Sequence, residues 1–171
     1  MPMQEKNRLA NFRLQKIFSL ILILFLVILS ILSFDYIRAK VRDQKRKIDL
    51  RQISLALDMY YDTHQKYPEV IDKDFGEWDT TYEPDRQEKS FLDILVKNNF
   101  INYLPYDPIN NEFYHYRYAY YPAGKYGCEK PFYILQLSNF EQLGGSNGFG
   151  GCPEMNFVNF AENGYTIQRF E

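Results

Sequence analysis

Three regimes of hydrophobic and polar spacing follow one another along this chain. The first is residues 17–34, IFSLILILFLVILSILSF, eighteen residues without a charge. As a helix they rise about 27 Å, close to the thickness of a bilayer's hydrocarbon core. Their serines can return hydrogen bonds to the helix backbone. The second regime is helical too, with no Gly or Pro before Gln65. Ile37 and Val41 are four apart, the segment from Arg42 to Lys47 is almost wholly polar, and Leu50, Ile53, Leu57, Tyr60 and His64 follow 3–4 spacing. That spacing gathers the apolar side chains into one stripe. The pattern predicts a rod that is lipid-soluble first, wet in the middle, and packed under a domain at its end. Pro68 stops it, and Tyr67 before the proline is pushed toward extended geometry.

Residues 69–89 are acidic and irregular, a predicted surface loop with Trp78 tucking it onto the core. Residues 90–99, SFLDILVKNN, predict a short helix capped by Ser90 with Asp93 in its first turn. LPYDPINNEF, 104–113, is a turn region. Then the third regime begins and the period becomes two. FYHYRYAYY, 113–121, puts Tyr114, Tyr116, Tyr118 and Tyr120 on one face of a strand, and Phe113, His115, Arg117 and Ala119 on the other. Residues 131–138 read as a second strand. In 155–170, Asn163-Gly164 sits between two strand-like runs and signals a hairpin. The predicted fold is α+β: a long N-terminal helix packed on a small antiparallel sheet of about four strands.

Charge and cysteine content sharpen this picture. Residues 1–51 carry eleven Lys/Arg against four Asp/Glu, a net +7, while residues 52–171 carry nine against eighteen, a net −9. A basic stalk thus bears an acidic domain. The basic part suits lipid head groups, and the acidic part gives no reason to expect nucleic acid. Aromatic residues are 18% of the chain and concentrate after residue 59, enough for a substantial core. Cys128 and Cys152 are an even pair, read either as one disulfide in an exported domain or as two buried thiols. The apolar run exceeds the usual hydrophobic stretch of a signal peptide, and no small-x-small cleavage site follows Ser33, so an uncleaved single-pass anchor is expected. The flanks disagree with the cysteines over orientation. Counting basic residues puts the C-terminal side in the cytoplasm, whereas a disulfide puts it outside. The expectation taken is a cytoplasmic tail of residues 1–16, a transmembrane helix at 17–35, a stalk helix at 36–65 and an extracytoplasmic head at 66–171.

Catalytic chemistry is sparse. LGGSNGFGG, 143–151, lacks the Lys-Ser/Thr ending of a phosphate loop and reads as a flexible connection. No Ser or Cys sits in a nucleophile motif, and the two cysteines with His64 and His115 make no zinc pattern. His64 reads as a helix-end cap and His115 as an ordinary strand residue. No cofactor is expected. The acidic clusters Asp72, Asp74, Glu77, Asp79 and Asp107, Asn110, Asn111, Glu112 are the candidate sites for calcium, against a plain solvated surface. The tyrosine ladder is either a half-buried sheet face or a sugar-binding surface.

ALDMYYDTHQKYP, 56–68, and FLDILVKNNFINYLPYDPINNEFYHY, 91–116, carry a resemblance. In order, they are similar to the helix end and following Leu-rich helix, Leu-Pro-x-Asp-Pro turn and aromatic strand of type IV pilin-like proteins, above all the major pseudopilin of type II secretion systems. The motif positions are Tyr67, Pro68, Leu104, Pro105, Asp107 and Pro108, and the likeness covers about residues 17–121. It implies a lollipop fold, with Leu50, Ile53, Leu57 and Tyr60 as the helix–sheet core. It also implies a non-catalytic membrane-anchored subunit of a secretion, pilus or DNA-uptake machine, whose partners are lipids and other pilin-like subunits reached through the helix, with no small-molecule substrate. One departure bears on assembly. The family has Gly and then Phe-Thr-Leu-x-Glu at the anchor's start, where this chain has Ile17 and Leu22. A chain without the Gly and the Glu is expected to keep its tail and stay outside a filament. The alternative is an anchored extracytoplasmic binding module, for example for glycans, and a third reading is an anchored hydrolase.

Overall fold

The computed structural model describes residues 2–71, 76–82, 91–145, 147–161 and 163–171, with side chains from residue 14 on, Leu32 excepted. The chain divides into two compact units, Met1–Ala39 and Lys40–Glu171. Helix α1 (Pro2–His64) supplies all of the described first unit and the first element of the second. In the first unit the apolar run forms a helical segment long and apolar enough to cross a membrane, with mean hydropathy 3.1 over eighteen residues and none of them buried. Ser30 and Ser33 donate to the carbonyls of Leu26 and Leu29, so their hydroxyls are satisfied within the helix.

In the second unit α1 is followed by β1 (Asp79–Thr80), α2 (Asp93–Lys97), β2 (Tyr116–Tyr121), β3 (Phe132–Leu137), β4 (Asn147–Phe149), β5 (Gly151–Cys152), β6 (Met155–Asn156), α3 (Phe157–Phe160) and β7 (Tyr165–Phe170). Five strands form one sheet in the order β1-β2-β3-β7-β4, and β5 and β6 form a separate ribbon. The sheet is antiparallel except where β4 runs parallel to β7. This corrects the expectation of about four antiparallel strands.

The central strand β3 is buried at all six positions, because both faces of the sheet are covered. Tyr133, Leu135 and Leu137 join Tyr116, Tyr118 and Ile167 against Leu50, Ile53, Leu57 and Tyr60 of α1. Phe132 and Ile134 point the other way, into a second cluster with Trp78, Ala119, Tyr121 and Phe157. The period-two reading of the tyrosine strand therefore holds, and Trp78 does tuck its loop onto a core. The strand itself begins only at Tyr116, because the Asn111 side chain takes the N–H groups of Phe113 and Tyr114 in a turn.

Two local expectations fail for tertiary reasons. Asn163-Gly164 is not a hairpin: α3 precedes it, capped by the Asn156 side chain on the N–H groups of Val158 and Asn159, and Asn163 bridges to Asn139 instead. Gly164 is required there because a Cβ would lie 2.0 Å from the Leu137 carbonyl oxygen. The glycine-rich stretch is likewise no loose connection but contains β4. Gly148, at φ +98°, brings the backbone so close to β7 that a Cβ would sit 2.0 Å from the Thr166 oxygen. The short helix is present as α2, entered from Leu92 in the left-handed region without a side-chain cap. The expected Ser90 cap lies outside the described residues.

Cys128 and Cys152 form a disulfide with a Cα–Cα distance of 5.1 Å. It ties the β5–β6 ribbon to the turn after β2. Replacing both cysteines by serine is expected to lower the unfolding free energy by about 3 kcal/mol for a loop of this length. A urea titration of oxidised and variant protein checks it; equal midpoints would mean that the ribbon is held without the bond.

Candidate functional site

On α1 the buried stripe does not stop at Leu50. Positions 43, 46, 50, 53, 57 and 60 continue the same 3–4 spacing, and all six are buried. Its first two members are charged. Arg46 is completely buried and receives three carboxylates: Asp107 accepts from Nε at 2.6 Å and from Nη2 at 3.0 Å, while Asp43 and Glu141 accept from Nη1. Its guanidinium also lies 4.8 Å from the Tyr114 ring centroid. Asp43 in turn accepts the backbone N–H groups of Glu141, Gln142 and Leu143, and Arg42 forks onto Glu141. One helix turn is thus bolted to two separate loops, 104–113 and 139–143. Within the polar stretch read as a wet crossing, Gln44 and Lys45 are exposed, but Asp43 and Arg46 are completely buried members of this ionic group. The continuation of the 3–4 spacing into Asp43 and Arg46 was the signal that identifies it.

Electrostatics follow the contacts. Burial alone would raise the Asp43 carboxyl; the three loop N–H groups and Arg46 outweigh it and hold it below its ordinary value of 3.8. The Arg42 fork, opposed by burial and helped by Arg46, holds Glu141 below 4.5. Burial opposes the Arg46 charge, but Asp107 and Glu141 more than compensate, so the guanidinium is held more firmly than usual. A depressed carboxyl contributes stability above its unfolded pKa and loses it as pH falls through the folded one. The carboxylates' contribution is therefore expected to hold until the pH drops below 4.5 and 3.8 and then to fall. His115, which burial holds below 6.5, adds a loss that begins nearer that value. Thermal melts of parent and Asp43→Asn protein across this range check the assignment, since the variant should lose the Asp43 part of the carboxylate step and keep the Glu141 part.

The motif residues fall around the foot and end of α1. Tyr67 packs edge-on to Tyr133 at 4.6 Å, and the Tyr118 hydroxyl donates to the Pro68 carbonyl. Leu104 and Pro105 are buried, Pro108 is exposed, and Asp107 holds Arg46 as well as the N–H groups of Ile109 and Asn110. Asp107, considered for calcium, thus has both oxygens engaged by a guanidinium. In the other acidic cluster Glu77 pairs with Lys125 and Asp79 is buried on β1, while Asp72 and Asp74 lie outside the described residues. Among the described residues no three His, Cys, Asp or Glu side chains come together as a metal-binding group. His64 stacks on Tyr60 at 4.0 Å at the helix end, and His115 is buried immediately before β2. The middle of the tyrosine ladder is covered: Tyr116 donates to Asp49, and Tyr116 and Tyr118 are fully buried under α1. Those two rings offer no face to a sugar, while Tyr114 and Tyr120 at the ends of the ladder are half-buried.

What α1 leaves open is its opposite side. Val41, Ile48, Leu55 and Met59 repeat at 7, 7 and 4, and each is more than half exposed. Ile48 and Leu55 run into a groove of about 480 Å³ whose far wall is Phe149 of β4 with Tyr165 and Ile167 of β7. Lys47, Arg51 and Arg169 line the groove with Asp58, so its lining mixes apolar side chains with charged ones that are mainly basic. A helix buried on one stripe and apolar on the opposite one is equipped for two sets of neighbours, one inside the domain and one outside it. Comparison with known protein families, with curated proteins and with solved structures finds no match for the chain.

Proposed function

We propose that the protein is a non-catalytic, membrane-anchored subunit of the pilin-like kind, serving a secretion, pilus or DNA-uptake assembly, with residues 17–34 in the bilayer and the disulfide-bearing domain outside the cytoplasm. The observation that carries this reading is that one helix contains both the apolar run and the buried strut of the folded domain. A partner gripping the Ile48–Leu55 side of that helix would address the anchor and the domain through a single element. The disulfide supports an oxidising location for the domain. The mainly basic charges lining the groove favour a partner helix that is apolar along its contact and acidic beside it.

The test is made on the full chain in its own membranes. The protein should resist extraction by alkaline carbonate, and its intact mass should show whether residues 1–16 are kept. A photo-crosslinker at Ile48 or Leu55 should join it to another single-span protein, while the same group at exposed Asn159 should not. Release by carbonate, or identical crosslinks from Ile48 and Asn159, would overturn the proposal.

A further inference from the structure

The sheet face turned away from α1 carries a cavity of about 360 Å³ that the assembly reading does not use. Its walls are Trp78, Tyr121, Tyr126, Met155, Phe157 and Phe160, with Arg117 of β2 and Glu77 among them; the Glu77 carboxylate is engaged by Lys125 at 3.0 Å and by the Tyr126 hydroxyl at 3.2 Å. The Arg117 guanidinium lies 4.8 Å from the Trp78 ring centroid and 5.1 Å from that of Phe160, and these two rings are nearly parallel, 10° apart. Nε donates to the Gln136 side-chain oxygen at 2.8 Å and Nη2 to the Phe160 carbonyl at 3.2 Å. Gln136 is itself locked, donating to the Phe157 carbonyl and to the Thr166 hydroxyl.

Both acceptors of Arg117 are neutral. Arg42 and Arg46 pair with carboxylates, whereas among the described residues no carboxylate pairs with Arg117. Its Nη1 makes no hydrogen bond among those residues. Burial lowers its pKa to about 10, with the Tyr121 hydroxyl only partly opposing the shift. This is a half-buried cation paired with no carboxylate among the described residues, held rigidly at the wall of an aromatic cavity whose one carboxylate, Glu77, is taken by Lys125. An uncompensated charge in such surroundings is costly, and a bound anion relieves the cost.

We propose that this cavity binds a carboxylate carried on an apolar or aromatic body, the carboxylate meeting Arg117 and the body lying among the rings. A planar monoanion matches the guanidinium edge. A dianionic phosphate would leave its second charge among apolar rings. A cationic ligand would meet Arg117 already lying against the ring faces it needs. The volume is within the range of small-ligand sites, about 300–1,000 Å³. The same chemistry is offered by a free organic acid and by the C-terminal carboxylate of a polypeptide ending in an aromatic residue.

Trp78 is the single tryptophan of the chain and forms part of the wall, so its emission reports occupancy directly. Full-length protein in a non-ionic detergent is titrated with phenylpropionate, with the neutral phenylpropanamide, and with N-acetyl-Gly-Phe as free acid and as amide. Saturable change with the acids, and at least about tenfold weaker response to the amides, is expected. Arg117→Gln, its fold checked by circular dichroism, should weaken the acids by about the same factor and leave the amides unmoved. Phe160→Ala, at a ring 55% exposed and removable without opening the core, should weaken acid and amide alike. The tighter of the two acids identifies the source, free acid or polypeptide end. Equal binding of acid and amide, no saturation with any acid, or a Phe160→Ala protein that binds as the parent does would each overturn the proposal.

Discussion

An Arg46→Ala protein unfolds about 3–5 kcal/mol more readily than the parent. The side chain is completely buried and receives Asp43, Asp107 and Glu141. Its removal leaves two fully buried carboxylates and one largely buried one facing each other without a cation. The loss should show as a shifted urea midpoint, followed by the circular dichroism of the sheet and by Trp78 emission. Arg46→Lys should recover only part of it, because an ammonium cannot fork onto Asp107 while reaching Nη1's two partners. An Arg46→Ala protein as stable as the parent would mean that water enters and solvates the carboxylates, and the cluster would then not be what fixes the loops to α1. Because the lost contacts join α1 to residues 104–113 and 139–143, those segments should also become the first cut by protease.

The second large effect is at Leu57. It is fully buried in the cluster shared by α1 and the tyrosine face of the sheet. Leu57→Asp combines the loss of the side chain's burial and packing with a carboxylate that has no partner prepared for it. The two together are expected to cost at least about 4 kcal/mol, against 2–5 kcal/mol for the cavity left by Leu57→Ala alone. The comparison position is Leu55, two residues away and 58% exposed. Leu55→Asp should leave the urea midpoint within about 0.5 kcal/mol of the parent and instead reduce crosslinking at the groove. If the two substitutions destabilised alike, the assignment of one helix face to the core and the other to a partner would be wrong.

Much of this molecule is legible without coordinates. The apolar run, the stripe at 50, 53, 57 and 60, the stop at Pro68 and the two-residue period of the tyrosine strand each depend on short-range spacing, and spacing is a property of the sequence. The ionic cluster was half legible. Asp43 and Arg46 continue the stripe, but polarity alone reads them as solvated, since only a fold can bring Asp107 and Glu141, about sixty and a hundred residues away, to the same guanidinium. The failed hairpin has the same origin. Asn-Gly favours a tight turn when nothing else competes, and here β3 and α3 compete. Neither the groove nor the aromatic cavity has a sequence signature, because each is walled by residues from three or more elements.

The sequence by itself determined that one helix carries an apolar run and then an amphipathic stretch ending at His64, and that a β-rich, aromatic domain with a cysteine pair follows. Local periodicity and backbone stereochemistry suffice for that. Tertiary structure alone decided that β4 joins the sheet in parallel, that Arg46 is buried among three carboxylates while Arg117 has none, and that two apolar surfaces remain open. Those outcomes depend on which distant side chains share a desolvated space, where the energy of a charge or a ring is set by its neighbours rather than by its own identity.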